Sequence, residues 1–146
     1  MYKKKSQGGM SFVLAMCLAM VVAGASARPA HADGGGCSVW SQINLPTVTI
    51  PAGWLCLNVY GSGLNIHNMN AYWRTGTLCN WRIDWVIYNN GKTWWRDNGP
   101  VHGCDHITGT RVRGAGRAPD HSDICAELYN TARNVKIDAV CAGIER

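Results

Sequence analysis

The stretch YNNGKTWWRDNG, Tyr88 to Gly99, sets two indoles side by side just after Asn90-Gly91, the strongest two-residue signal for a β-hairpin turn. Adjacent side chains on a strand point to opposite faces, so Trp94 and Trp95 cannot both enter a core. With Asn90-Gly91 as the turn, Asn89 pairs with Lys92, Tyr88 with Thr93, Ile87 with Trp94, Val86 with Trp95 and Trp85 with Arg96. One hairpin face then carries Trp81, Ile83, Trp85, Ile87 and Trp94 and reads as core. The other carries Arg82, Asp84, Val86, Tyr88, Thr93, Trp95 and Asp97. A flat indole stacks on the C–H face of a sugar ring while Asp, Arg and Tyr bond its hydroxyls. The same groups serve protein partners, because Trp, Tyr and Arg dominate binding hot spots. Arg82, Asp84, Tyr88 and Trp95 are therefore the expected ligand contacts, and the expected partner is an extracellular glycan or protein. The competing reading packs Trp95 under a loop or against a neighbouring strand. A slip of one residue in register exchanges the two faces.

Other residues offer weaker chemistry. HGCDH places His102 and His106 four apart, with His121 available to complete a metal site in space. Gly99, Pro100 and Gly103 disfavour the helix that such spacing needs, so surface loop histidines are the plainer reading and no cofactor is expected. RVRGAGR carries Arg111, Arg113 and Arg117 among glycines. Arg111 and Arg113 share a strand face and could grip an anion with paired N–H donors, although a solvated hairpin tip explains them as well. Ser62 lies in Gly61-Ser62-Gly63, which lacks the GxSxG elbow of a serine hydrolase. Asp84 and Asp97 fall opposite each other in the proposed register and are the one glycosidase hint, against the repulsion of two like charges.

These groups need a scaffold, and the cysteines supply it. Cys37, Cys56, Cys79, Cys104, Cys125 and Cys141 form an even set with no CxxC pair. That pattern reads as three disulfides rather than a zinc cluster or a redox dithiol. Of the possible pairings one follows from local pattern. DICAELYNTARNVKIDAVCAGI reads as two strands about a polar connection, and if Asn130 and Lys136 flank it, Cys125 faces Cys141.

Short alternating segments recur along the chain. Leu55, Leu57 and Val59 share a face; Leu64, Ile66 and Asn68 oppose Asn65, His67 and Met69. TVTIPAG ends a β-branched run with Pro and Gly, and residues 99–123 read as loops around one short strand, HITGTRVRG. A helical turn over Ala126–Arg133 is compatible with CAELYNTAR. No long 3.6-residue apolar period occurs. The expected fold is all-β, a small antiparallel β-sandwich or barrel stapled by three disulfides.

The chain opens with Lys3, Lys4 and Lys5, an apolar run FVLAMCLAMVVA over 12–23, and Ala30-His31-Ala32. This reads as a secretory signal peptide over 1–32, ahead of one secreted β domain over 33–146. The run falls short of the roughly 20 residues a membrane span needs, so no stable membrane insertion is expected. Lys3, Lys4, Lys5 and Arg28 leave with the leader, which takes the formal +5 of the whole chain down by four to +1. A nearly neutral domain lacks the basic field of a nucleic-acid binder. The resulting expectation is a monomeric secreted protein that binds rather than catalyses. A secreted antimicrobial toxin or protease inhibitor presenting the 99–123 segment is the alternative, and a small hydrolase the third class.

Amino-terminal sequencing of exported protein is expected to begin at Asp33, or at Arg28 if Ala25-Ser26-Ala27 is cut instead. Thiol reagents are expected to label the exported chain only after reduction. A first residue of Met1, or labelling without reductant, contradicts the leader and the staples respectively.

Overall fold

The computed structural model describes residues 34–105 and 108–145. The leader over 1–32 and His106 lie outside the described residues. The strands are β1 (Gly34–Trp40), β2 (Ile43–Leu45), β3 (Val48–Ile50), β4 (Gly53–Ser62), β5 (Asn65–Thr75), β6 (Leu78–Asn89), β7 (Lys92–Asp97), β8 (His102–Asp105), β9 (Thr108–Arg117), β10 (Ser122–Asn130) and β11 (Val135–Ile144). Their antiparallel pairing builds a first sheet ordered β1-β4-β5-β9 and a second ordered β11-β10-β6-β7, with β8 also pairing with β6. β2 and β3 form a separate small hairpin. The all-β, disulfide-stapled fold read from the sequence is the one observed.

Alternation on β4 and β6 decides which faces meet. Leu55, Leu57 and Val59 from the first sheet and Trp81, Ile83, Trp85 and Ile87 from the second are all buried in one shared core with Trp73, Ile124 and Leu128. Trp73 and Trp81 meet edge to face at 5.2 Å between ring centroids, the arrangement favoured by aromatic quadrupoles.

Turn chemistry fits the sequence. Asn90 and Gly91 have φ of 50° and 71°, the left-handed pair that a type I′ hairpin requires. Three strand irregularities were not legible. Tyr88 pairs with Thr93 but Ile87 with Trp95, so Trp94 is the extra residue of a β-bulge. Tyr60 pairs with Asn68 but Gly61 with Ile66, which leaves His67 as an extra residue on β5. Ile66 and Met69, expected on opposite faces, are consequently both buried. Asn130 pairs with Val135 rather than Lys136, and a bulge between Leu128 and Tyr129 restores Cys125 opposite Cys141. Two further readings change. Residues 99–123 hold two complete strands, β8 and β9, and the start of β10, instead of one strand. Ala126–Arg133 is strand followed by a turn, not helix, because β10 is paired on both sides, with β6 and β11, and pairing overrides local propensity.

Each disulfide joins residues directly opposed on neighbouring strands: Cys37–Cys56, Cys79–Cys104 and Cys125–Cys141, with Cα–Cα distances of 4.0, 3.9 and 4.0 Å. Each ties an outer strand, β1, β8 or β11, to its inner neighbour. An outer strand hydrogen-bonds on one side only and frays first, so a covalent tie is most effective there.

Replacing Cys125 and Cys141 together by Ala is expected to lower stability by about 3 kcal/mol, the unfolded-chain entropy of a loop of this length. Urea unfolding monitored by tryptophan fluorescence measures it, and an unchanged midpoint contradicts the estimate.

Candidate binding cleft at the open seam

The two sheets meet along two seams. At one, β1 lies beside β11: the Ser38 hydroxyl donates to Asp138 Oδ1 at 3.0 Å, and a Cβ added to Gly34 would stand 3.1 Å from the Ala142 Cβ. At the other, β9 faces β7, and no disulfide touches either strand. Arg111 closes that seam. Its side chain, 14% exposed, reaches from the first sheet to donate to the carbonyl oxygens of Ile83 and Asp97 and, at 2.6 Å, to Asp97 Oδ2. Burial depresses the Arg111 pKa against the pull of Asp97 and Asp84, yet an arginine at this height stays charged. Arg111 is therefore a clasp, not the solvated tip or free anion grip read from the sequence.

Beside the clasp the seam opens into a cleft of about 240 Å³ lined by Ile66, Met69, Ile87, Trp94, Trp95, Arg113, Arg117 and backbone of Gly114 and Gly116. Here the opening problem of the two indoles is settled. Trp95, expected on the mixed outer face, packs partly buried against the core opposite Ile87, and Trp94, expected inside, is 55% exposed. The bulge at Trp94 causes the exchange. Without it Arg96 would pair with Trp85 on the core face. With it Arg96 pairs with Val86 on the outer face and Asp97 turns inward opposite Trp85, toward Arg111. A guanidinium and a carboxylate both find partners, which outweighs the exposure of one indole. Arg113 lies over Trp95 at 5.5 Å from the ring centroid and only 3.4 Å from Asp97 Oδ2, and remains half exposed.

Arg82, Asp84 and Tyr88 do share the outer face of the second sheet, but Trp95 is not with them. They belong to a charged network. Glu127 sits directly across from Asp84, and both are buried. Two such carboxylates repel unless bridged. Arg96 bridges them, donating from Nη1 to Asp84 Oδ2 at 3.1 Å and from Nη2 to Glu127 Oε2 at 2.8 Å. Asp84 Oδ1 accepts the Gly99 N–H at 3.0 Å and lies 3.0 Å from Arg82 Nε. A Cβ on Gly99 would collide with the Ile83 carbonyl oxygen, so glycine permits this approach. Glu127 accepts from Tyr88 at 2.9 Å and Lys136 at 3.2 Å on Oε1, and from Tyr129 at 2.8 Å on Oε2. All of its acceptor positions are filled. Arg82 also lies 5.1 Å over the Tyr129 ring. Asp84 is sealed beneath its partners and positions them rather than facing a ligand. The expected Asp84–Asp97 pairing does not exist, since Asp97 points to the other side of the sheet.

The histidines are apart. His102 stacks on Trp81 at 4.0 Å, whereas His121 precedes Ser122, which pairs with Asn89 at the far end of β6. About 26 Å of strand separates the two levels, so they do not converge on one site. The cleft arginines were visible as RVRGAGR, but nothing local indicated that they face Trp94 across a seam. Neither a protein-family model nor a curated protein matches the chain.

Burial raises the pKa of Glu127, but hydrogen bonds from Tyr129, Tyr88 and Lys136 outweigh it and hold the carboxyl below its ordinary value. Tyr88 is raised by burial and by the same bond, and Lys136 is raised by its bond to Glu127. A depressed carboxyl stabilises the fold above its unfolded value and loses that contribution as pH falls through the native one. Glu127→Gln is expected to cost on the order of 2 kcal/mol at pH 7, less than a fully sealed pair because Arg96 and Lys136 keep water contact. It should also flatten the loss of stability below about pH 4.3, the ordinary glutamate value. Urea midpoints from pH 2 to 7 test both points; parallel curves for the two proteins contradict the assignment.

Proposed function

We propose that this is an exported binding domain whose β7–β9 cleft receives an acidic sugar unit of an extracellular glycan. The observation that carries the reading is Trp94, a large indole left 55% exposed at the mouth of a cleft floored by Trp95, Met69 and Ile87. Exposed aromatic surface beside a concavity is a recurrent mark of recognition. The volume limits the guest. At about 240 Å³ the cleft is below the roughly 300–1,000 Å³ of sites for drug-sized ligands, which favours one ring of a longer chain. Arg113 and Arg117, both exposed, fix the charge: an arginine fork matches a carboxylate or sulfate geometrically, and Asp97 neutralises Arg113 only from 3.4 Å.

Two features favour binding over hydrolysis. Among the described residues lining the cleft there is no carboxylate, and a glycosidase needs an acid beside a base or nucleophile. Glu127 and Asp84 are committed to Arg96. Three disulfides within one chain are compatible with an extracellular setting, and the leader-like start of the sequence agrees with it.

Affinity electrophoresis through gels containing polygalacturonate, alginate or a sulfated glycan tests the reading. Retardation by one of these polymers is expected, weakening as salt rises. Trp94→Ala and Arg117→Ala are each expected to weaken binding roughly tenfold with unchanged stability. Full retardation of the Trp94→Ala, Arg117→Ala double variant would falsify the cleft as the site.

A further inference from the structure

The outer face of the first sheet carries a different chemistry, and it stands independently of the cleft. Along β4, Trp54, Cys56, Asn58 and Tyr60 point outward; across from them on β5 are Arg74, opposite Trp54, Tyr72, opposite Cys56, Asn70, opposite Asn58, and Asn68, opposite Tyr60. The ends of this strip are aromatic. Trp54 and Tyr72 meet edge to face at 5.5 Å and are half-buried, while Tyr60 is exposed at the other end. Six residues of strand place Trp54 and Tyr60 about 20 Å apart. The middle is amide: Asn58, Asn68 and Asn70, with no charged side chain among them.

The amides are incompletely bonded. Asn68 Oδ1 and Asn70 Oδ1 have neither a hydrogen-bond partner nor accessible surface. Buried polar atoms are nearly always paired, so these two acceptors are an exception that asks for a donor. The terminal torsion of Asn is soft, and half a turn about it presents the oxygen above the sheet without moving the backbone. A hydroxyl lying on the strip is such a donor, and its own oxygen accepts from a neighbouring Asn NH2 that still faces outward.

We infer that this face is a second binding surface, for a neutral oligosaccharide laid along β4 and β5. Stacking rings at both ends and amides between them match a chain of sugar rings edged with hydroxyls. Arg74, exposed opposite Trp54, stands at one end of the strip, and the uncharged amide row between it and Tyr60 offers hydrogen bonds suited to the hydroxyl-edged middle of a neutral chain. The Cys37–Cys56 disulfide crosses the same face and holds β1 to β4, so little order remains to be imposed on binding.

Heteronuclear NMR titration of the full mature chain with cellohexaose and with chitohexaose tests this. One of the two is expected to shift the side-chain amide signals of Asn58, Asn68 and Asn70 and the Trp54 indole signal. Trp54→Ala and Asn70→Ala should each weaken the interaction roughly tenfold. Asn70→Ala removes no ring and keeps the test open if Trp54→Ala does not fold. Trp94→Ala should leave it unchanged, just as Trp54→Ala should leave retardation by acidic polymers unchanged, so the two sites fail separately. No shift with either hexasaccharide, or shifts confined to Trp94 and Trp95, overturns the proposal.

Discussion

The outermost strand of a sheet holds on by one row of hydrogen bonds, and here three such strands are fastened covalently. β1, β8 and β11 are each bonded through a cysteine to the strand beside them. The rest of the molecule depends on that constraint. A chain of this size builds a modest core, and small exported domains commonly supplement one with disulfides. The bridges run within sheets rather than between them, so they secure strand register and leave the sheets to be joined by packing and polar contacts.

The consequence is an asymmetry between the seams. Where β1 meets β11, both strands are tied to their own sheets and the approach is close. Where β9 meets β7, neither strand is tied, and Arg111 joins the sheets instead by reaching Ile83 and Asp97. A clasp made by Arg111, with Arg113 reaching the same Asp97 carboxylate and lying over Trp95, holds the seam near Asp97 and not along its length. Beside it the sheets part, and the space left over is lined by whatever β7 and β9 direct there: Trp94, Trp95, Arg113 and Arg117. The cleft is thus a product of how the sandwich is closed.

The outer face of the second sheet shows why the hairpin is bulged. Asp84 and Glu127 are opposed on adjacent strands and both lie out of contact with water. They are tolerable only with a cation between them, and Arg96 is that cation. Delivering Arg96 to the outer face, Asp97 to Arg111 and Trp95 to the core requires one extra residue after the turn, and Trp94 is the residue displaced. The charged network and the exposed indole are two results of the same register change.

Much of the architecture was legible because it is written in local pattern. Alternation on β4 and β6 marked the inward faces, Asn90-Gly91 marked the hairpin, and the even set of cysteines marked the staples, including Cys125–Cys141. The bulges at Trp94 and His67 carried no such mark. An extra residue in a strand is settled by where distant side chains find partners, and those partners, Glu127 for Arg96 and Arg111 for Asp97, lie on strands far along the chain. The sequence by itself determined an all-β fold and the faces of its well-paired strands, since a period of two needs only neighbouring residues. Which indole meets water, which arginine clasps and which line a cleft were decided by the tertiary structure alone, because burial of charge is compensated across sheets and not along a strand.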